Sequence, residues 1–331
     1  MLRTAATAPR CRPRIARAHP RVLVQTADGL HGRPAVCTVA QRSPAPSLTR
    51  PRLSSSIGPV TTTSTTATGT TTGTGSAPVT AEVRDGVGVL TLDRPAQRNP
   101  LSVATMTAFT ALLRELAATP DVGAIVVRAA GPAFSAGHDL REMVGRTLDD
   151  EREVFAVCTE MMTAVQEVPQ PVIAAVQGTA VAAGCQLVAT CDLAVAASTA
   201  VFGTPGVRIG LFCSTPMVAV SRAIGRKRAL QLLLTGEVID AATAADWGLV
   251  NEVVAPGEVD ARALALAATI ADASPLTLRI GKQAFYRQID LPQAQAYEEM
   301  REIMATNAVT CDAQEGMQAF LDKRPPVWQG R

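Results

Sequence analysis

From residue 79 onward the chain changes hydrophobic period every ten to twenty positions. Residues 79–93 (VTAEVRDGVGVLTLD) put valines at alternate positions around Asp85-Gly86, which predicts a β-hairpin. Ser102 then stands before Val103, Met106, Phe109, Leu112, Leu113 and Leu116. That spacing is helical, Ser102 supplies an N-cap and Pro120 marks the end. Ala124–Arg128 (AIVVR), Val172–Val176 (VIAAV) and Leu193–Ala196 (LAVA) are short apolar runs of buried-strand type. A helix over 149–167 separates the first two and is broken by Pro169 and Pro171. From about residue 216 nearly everything reads as helix, apart from a strand at Val250–Val254. Strands separated by helices make this an α/β chain with a helical C-terminal segment. No internal repeat of solenoid length is present.

The first eighty residues follow a different rule. They hold ten Arg, no Lys and one acid, Asp28, whereas residues 81–331 hold 21 basic and 28 acidic residues. All eleven aromatic residues lie after position 80. The opening MLRTAATAPRCRPRIARAHPR is rich in Arg and Ala and free of acids, the composition of an organelle-import presequence. No apolar stretch follows the Arg cluster, so a secretory signal is disfavoured. Arg from position 3 through Arg21 favours the mitochondrion, and the later Ser/Thr richness keeps a plastid address open. Residues 60–78 belong to a Thr/Gly tract that cannot bury enough apolar surface to order itself. The expected organisation is an import segment at 1–59, a linker at 60–78 and one folded domain at 79–331.

Composition then removes whole classes of function. No apolar run reaches about 18 residues, so no membrane-spanning helix is expected. The three histidines, His19, His31 and His138, leave only one in the folded part. Most His-based metal sites and Ser-His or Cys-His nucleophile schemes are therefore excluded. Cys158, Cys185, Cys191, Cys213 and Cys311 lack CxxC spacing and read as small buried thiols, with no metal expected. The acidic body has no basic-aromatic patch, which argues against nucleic acid. The short run Arg226-Lys227-Arg228 reads as a solvated helix face or a phosphate contact rather than an RNA site.

Two junctions carry the candidate chemistry. Gly131-Pro-Ala-Phe-Ser-Ala-Gly-His-Asp-Leu140 follows the strand at 124–128, and Gly178-Thr-Ala-Val-Ala-Ala-Gly-Cys-Gln186 follows the strand at 172–176. Small residues let a ligand approach the backbone, and each loop is read as opening a helix with unpaired N–H groups. Plain turns explain such loops as well. Two converging donors would instead make an oxyanion hole, which polarises one carbonyl oxygen.

These loops, in this order, resemble the crotonase (enoyl-CoA hydratase/isomerase) superfamily. The resemblance covers about 79–328 and extends to Arg94-Pro95…Asn99-Pro100-Leu101, Cys191-Asp192-Leu193-Ala194, Phe202-Gly203-Thr204-Pro205, Leu234-Thr235-Gly236, Trp247-Gly248-Leu249-Val250 and Glu315-Gly316-Met317-Gln318-Ala319-Phe320. It implies a ββα spiral core, a helical C-terminal trimerisation segment, a homotrimer or dimer of trimers, and acyl-CoA thioester ligands without a further cofactor. It places the oxyanion donors at the backbone N–H groups of His138 and Ala183, and Ala136 beside the CoA nucleotide. Phe320 and Lys323 match positions that reach a neighbouring subunit's CoA. Phe212, Cys213 and Ser214 fall near the acyl chain, with Cys213 and Ser214 in place of Pro-Gly. Asp139 is read as an acid at a helix start, and Arg208 as a surface or interface charge.

The departures from the family pattern concern the reaction itself. Hydration needs a general base and a general acid, and the resemblance puts the two carboxylates at Gln186 and Gly206. Glutamine orients a water without taking its proton, and glycine has no side chain. One such group contributes about 10²–10⁴-fold in rate. The expectation is a crotonase-like protein of mitochondrial fatty-acid metabolism that binds acyl-CoA with weak or absent hydratase activity. A divergent enoyl-CoA hydratase/isomerase, or another acyl-CoA lyase or hydrolase, is the alternative.

Overall fold

A computed structural model describes residues 77–331. The expected import segment, and the expected linker up to residue 76, lie outside the described residues. The hairpin forms as the sequence predicts, with β1 at Val79–Arg84 and β2 at Val87–Leu92 in antiparallel register. Asp85 and Gly86 both take positive φ, 49° and 77°, which matches the twist of the two strands. Helix α1, Val103–Ala118, starts where Ser102 accepts the Thr105 N–H through its side chain. Its Met106, Phe109 and Leu113 are fully buried at helical spacing.

Strands β3 (Ala124–Ala129), β5 (Val172–Val176) and β7 (Leu193–Ala197) are the apolar runs of the sequence. With β10 (Glu252–Val254) they form a six-stranded sheet in the order β1-β2-β3-β5-β7-β10, parallel except for the hairpin. Helix α2 (Leu148–Glu167) packs on α1. A capping box starts it, since Thr147 and Asp150 bond reciprocally to each other's backbone.

A second sheet has no counterpart in the sequence pattern. β4 (Ala133–Ser135), β6 (Thr179–Val181), β8 (Val201–Gly203) and β9 (Val238–Asp240) pair in that order, each three residues long. Two of these strands lie inside the segments read as loops, and β9 interrupts the stretch read as helical. Helix α3, Ala183–Thr190, follows β6 directly. Three-residue strands carry no measurable alternation, so periodicity misses them.

The C-terminal half is helical: α4 (Ser214–Ile224), α5 (Arg226–Thr235), α6 (Ala241–Trp247), α7 (Val259–Ala271), α8 (Pro275–Gln288), α9 (Gln293–Ala308) and α10 (Cys311–Asp322). α7 lies on β3, β5 and β7. α8 is fastened by a buried cation: Lys282 Nζ donates to Val165 O (2.8 Å) and Gln170 O (2.9 Å) and pairs with Asp192 Oδ2 at 2.8 Å. Tyr286 donates to Asp192 Oδ1 at 2.7 Å. The last residues fold back over α10, where the buried Asp312 carboxylate accepts from Ser274 Oγ (2.6 Å) and Gln329 N (2.7 Å). Four of the five cysteines here are buried free thiols; Cys311, on α10, is exposed, contrary to the expectation for all five. Arg228 fits the solvated face expected of its run, stacking over Trp247 at 5.5 Å and pairing with Asp246.

Candidate functional site

The two junctions meet. A Cβ placed on Gly137, whose φ is 91°, would stand 2.8 Å from Ala182 Cβ and 3.2 Å from Ala183 N. A Cβ on Gly184 would strike the Ser135 carbonyl. Glycine at both positions is what lets the loops touch.

The first loop is held from behind. Asn99 is buried, accepts the Arg94 N–H and donates through Nδ2 to Ala130 O (2.9 Å) and Ala133 O (2.8 Å). Ser135 Oγ donates to Asn99 O at 2.8 Å and accepts the Gly137 N–H at 3.2 Å. Leu101 N donates to Gly137 O at 2.8 Å within a parallel bridge to His138. In such a bridge the N–H of His138 faces away from Leu101. It has no acceptor among the described residues. The expected helix start is only a single 3₁₀ turn, Leu140–Glu142, capped by Asp139, which accepts the Arg141 N–H. The His138 donor is thus set by Asn99 and Leu101 rather than by a helix dipole.

The second donor does belong to a helix. Ala183 is the first residue of α3, so its N–H has no partner within the helix. Ala182 before it has φ 50° and ψ −121°, a conformation that costs a residue with a side chain about 1–3 kcal/mol. That turn aims the first N–H of α3 at the first loop.

Both donors border a half-open cavity of about 890 Å³. Ala136, His138, Asp139 and Ala183 line it, as do Gly206, Phe212, Cys213 and Ser214. Phe320, Lys323 and Gln186 do not. Phe320 and Lys323 sit at the end of α10, and Phe320 is 83% exposed. Gln186 is 5% exposed on α3 and turns Oε1 toward Cys158 Sγ, 4.0 Å away. It therefore takes no place at the cavity wall. Arg208, read from sequence as a surface or interface charge, borders the cavity mouth.

The Gly206 position is filled rather than vacant. A Cβ there would collide with the Leu211 carbonyl and stand 2.8 Å from Cys213 Sγ. Leu211 N donates to Gly206 O at 3.0 Å, and the Gly206 N–H reaches the Cys213 thiol. The 3₁₀ turn Pro205–Ile209 and the following loop have closed over the missing side chain.

The protonation states follow from burial. His138 stacks edge-on against Phe155 at 5.4 Å, and burial pushes its pKa down to about 4. Its Nε2 is buried without a partner. Burial also pushes the Cys213 thiol up. Asp139 is lowered by its hydrogen bonds to Arg141, which donates through Nε (2.9 Å) and Nη2 (2.8 Å). At neutral pH the cavity holds a neutral imidazole, a neutral thiol and a carboxylate already engaged. No cluster of His, Cys, Asp or Glu able to hold a metal occurs among the described residues.

Comparison with known proteins agrees with this architecture. The family model for enoyl-CoA hydratase/isomerase matches residues 82–331. The chain belongs to the enoyl-CoA hydratase/isomerase family. Among its relatives, the mitochondrial enoyl-CoA hydratase domain-containing protein 3 of Rattus norvegicus is 43% identical over 246 residues, 74% of this chain and 82% of the relative. The crystal structure of the human enoyl-CoA hydratase domain-containing protein 3 superposes with TM-score 0.74 at 43% identity, covering 76% of this chain and all of that one. An enoyl-CoA hydratase of Mycobacterium smegmatis reaches the same TM-score at 45% identity, covering 76% of this chain and 98% of that one. These family members share the α/β fold with its helical C-terminal segment.

Proposed function

We propose that this chain binds an acyl-CoA thioester with its carbonyl oxygen between the N–H groups of His138 and Ala183, and hydrates enoyl thioesters weakly or not at all. The observation that carries the reading is the filled position at Gly206, where the Leu211 carbonyl and the Cys213 thiol leave no room for a carboxylate. Gln186, turned to Cys158, offers no base in its stead. The apolar wall suits an acyl chain, and no resident cofactor is needed.

The same reading includes a mitochondrial location, supported by the Arg-rich start and by the names of the relatives, and a role in fatty-acid metabolism. The mitochondrial name of the Rattus norvegicus relative gives the plastid alternative no support. It also includes a homotrimer or dimer of trimers, in which Phe320 and Lys323 reach a neighbouring copy's ligand. Phe320 and Leu321, 83% and 73% exposed on one helix, are the surface such contacts need.

The second reading is an active, divergent hydratase, favoured by the 45%-identical protein described as one. The full-length protein mixed with trans-2-butenoyl-CoA decides between them. Under the proposal the conjugated thioester absorbance falls slowly or not at all at high protein concentration while the ester binds. Rapid loss of absorbance would sink the proposal and establish the second reading.

A further inference from the structure

From Leu193 to Gly236 the chain has no Asp or Glu and five cations, Arg208, Arg222, Arg226, Lys227 and Arg228, although residues 81–331 as a whole are acidic. Arg228 is engaged by Trp247 and Asp246, and Arg222 stands 3.6 Å from Asp290. Arg226 and Lys227 are exposed and touch no acid among the described residues. Both stand in the first turn of α5, which holds no acid. The helix dipole disfavours cations there, so they do not serve the stability of the helix.

At about 3.6 residues per turn, Arg226, Lys227, Leu230 and Leu234 share about a third of the circumference of α5. Leu230 and Leu234 are 39% and 62% exposed, while Ala229, Leu232 and Leu233 are buried on the other side. At the far end of α5, Arg208 lies against Gly236, and its Nε donates to Thr235 O at 3.4 Å. The outward face is therefore a leucine strip with cations at both ends.

We propose that this face of α5 seats the protein on an anionic bilayer, with Arg226 and Lys227 against lipid phosphates and Leu230 and Leu234 at the boundary of the acyl chains. A helix with cations and leucines together on its outward side lies in the plane of such an interface. Ten residues give a face about 15 Å long and about 150 Å² in area. A stable protein interface needs about 800 Å² per partner, whereas a bilayer needs no matching shape. Residues 1–59, rich in Arg, have the wrong charge to cover this face. It has no aromatic side chain on which a base could stack. The seating does not depend on what the cavity binds.

The experiment floats the full-length protein with vesicles of phosphatidylcholine, with and without cardiolipin, at low and high salt. Expected is flotation with cardiolipin vesicles only, reversed by salt. The Arg-rich start attracts such vesicles too, so the parent is compared with two variants of the same full-length chain. The double variant Arg226→Gln, Lys227→Gln is expected to bind about 25-fold more weakly, from about fivefold per cation. Leu234→Ser is expected to lose about fivefold, for partial burial of one leucine. Lys227→Arg, which keeps the charge, is expected to bind as the parent does. Unchanged binding in the double variant and in Leu234→Ser places the lipid contact in residues 1–59 and overturns the proposal. A loss confined to the charge variant overturns the seating of the leucines. Release of the parent by inorganic phosphate at constant ionic strength marks a free-phosphate site and overturns the bilayer. A smaller assembly of the double variant on sedimentation marks a contact between copies and also overturns it.

Discussion

At Gly206 the Cβ of any other residue meets a backbone carbonyl, which cannot rotate away as a side chain can. Gly206→Ala is therefore expected to destabilise the protein by about 1–3 kcal/mol, the range for overpacking, visible as a lower denaturant midpoint. Gly206→Glu, alone or with Gln186→Glu, is expected to disturb the loop through Cys213 rather than restore hydration, as crotonyl-CoA turnover would read. His138 gives a second residue-scale expectation. Its folded pKa of about 4 lies below the unfolded value near 6.5, so between these pH values the unfolded chain binds more protons. The contribution is complete above pH 6.5 and is lost as pH falls toward 4, at most about 3 kcal/mol. Urea denaturation at pH 7 and 4.5 should show a larger acid loss in the parent than in His138→Gln. The sequence and its resemblance point to the backbone donors at His138 and Ala183. The turn of Gln186 toward Cys158 and the place of Arg208 at the cavity mouth depend on backbone paths that no residue pattern encodes.

Among the elements, legibility follows length and capping. The hairpin and α1 are readable because alternation, turn residues and the Ser102 cap agree with one another. The sheet of β4, β6, β8 and β9 is unreadable because three residues show no period, yet it shapes the base of the site through the β4 and β6 loops. The docking of α8 is another feature set by tertiary contacts alone. Lys282 binds two carbonyls and Asp192 across elements ninety or more positions away in sequence. Lys282→Met leaves the Asp192 carboxylate without its cation and the two carbonyls without a donor. A loss of about 3–5 kcal/mol is expected from chemical denaturation, as for breaking a buried ion pair by removing one partner.

At the scale of the molecule, the cavity is half-open and α10 ends in large exposed apolar side chains. Packing Phe320, Leu321 and Met317 against a second copy would remove that surface from water, and Phe320→Asp would place a charge in the contact. Sedimentation of the full chain is expected to show an assembly in multiples of three, and Phe320→Asp to shift it toward monomer. A parent chain sedimenting as a monomer would remove the shared-site part of the proposal. The proposal of an import segment rests on composition alone, ten arginines with one acid in the first eighty residues.

The closed loop around Gly206 also bears on which sequences can be reached from this one. An acid at 206 is useless while the Leu211 carbonyl and Cys213 occupy its space, and a smaller residue at 213 leaves the carbonyl in place. No single substitution at 206 or 213 then gains activity, and the first step toward an acid at 206 loses stability. The lineage is held at its present chemistry by a mutational valley at least two changes wide, so selection for hydratase activity should find its first gains elsewhere in the cavity wall.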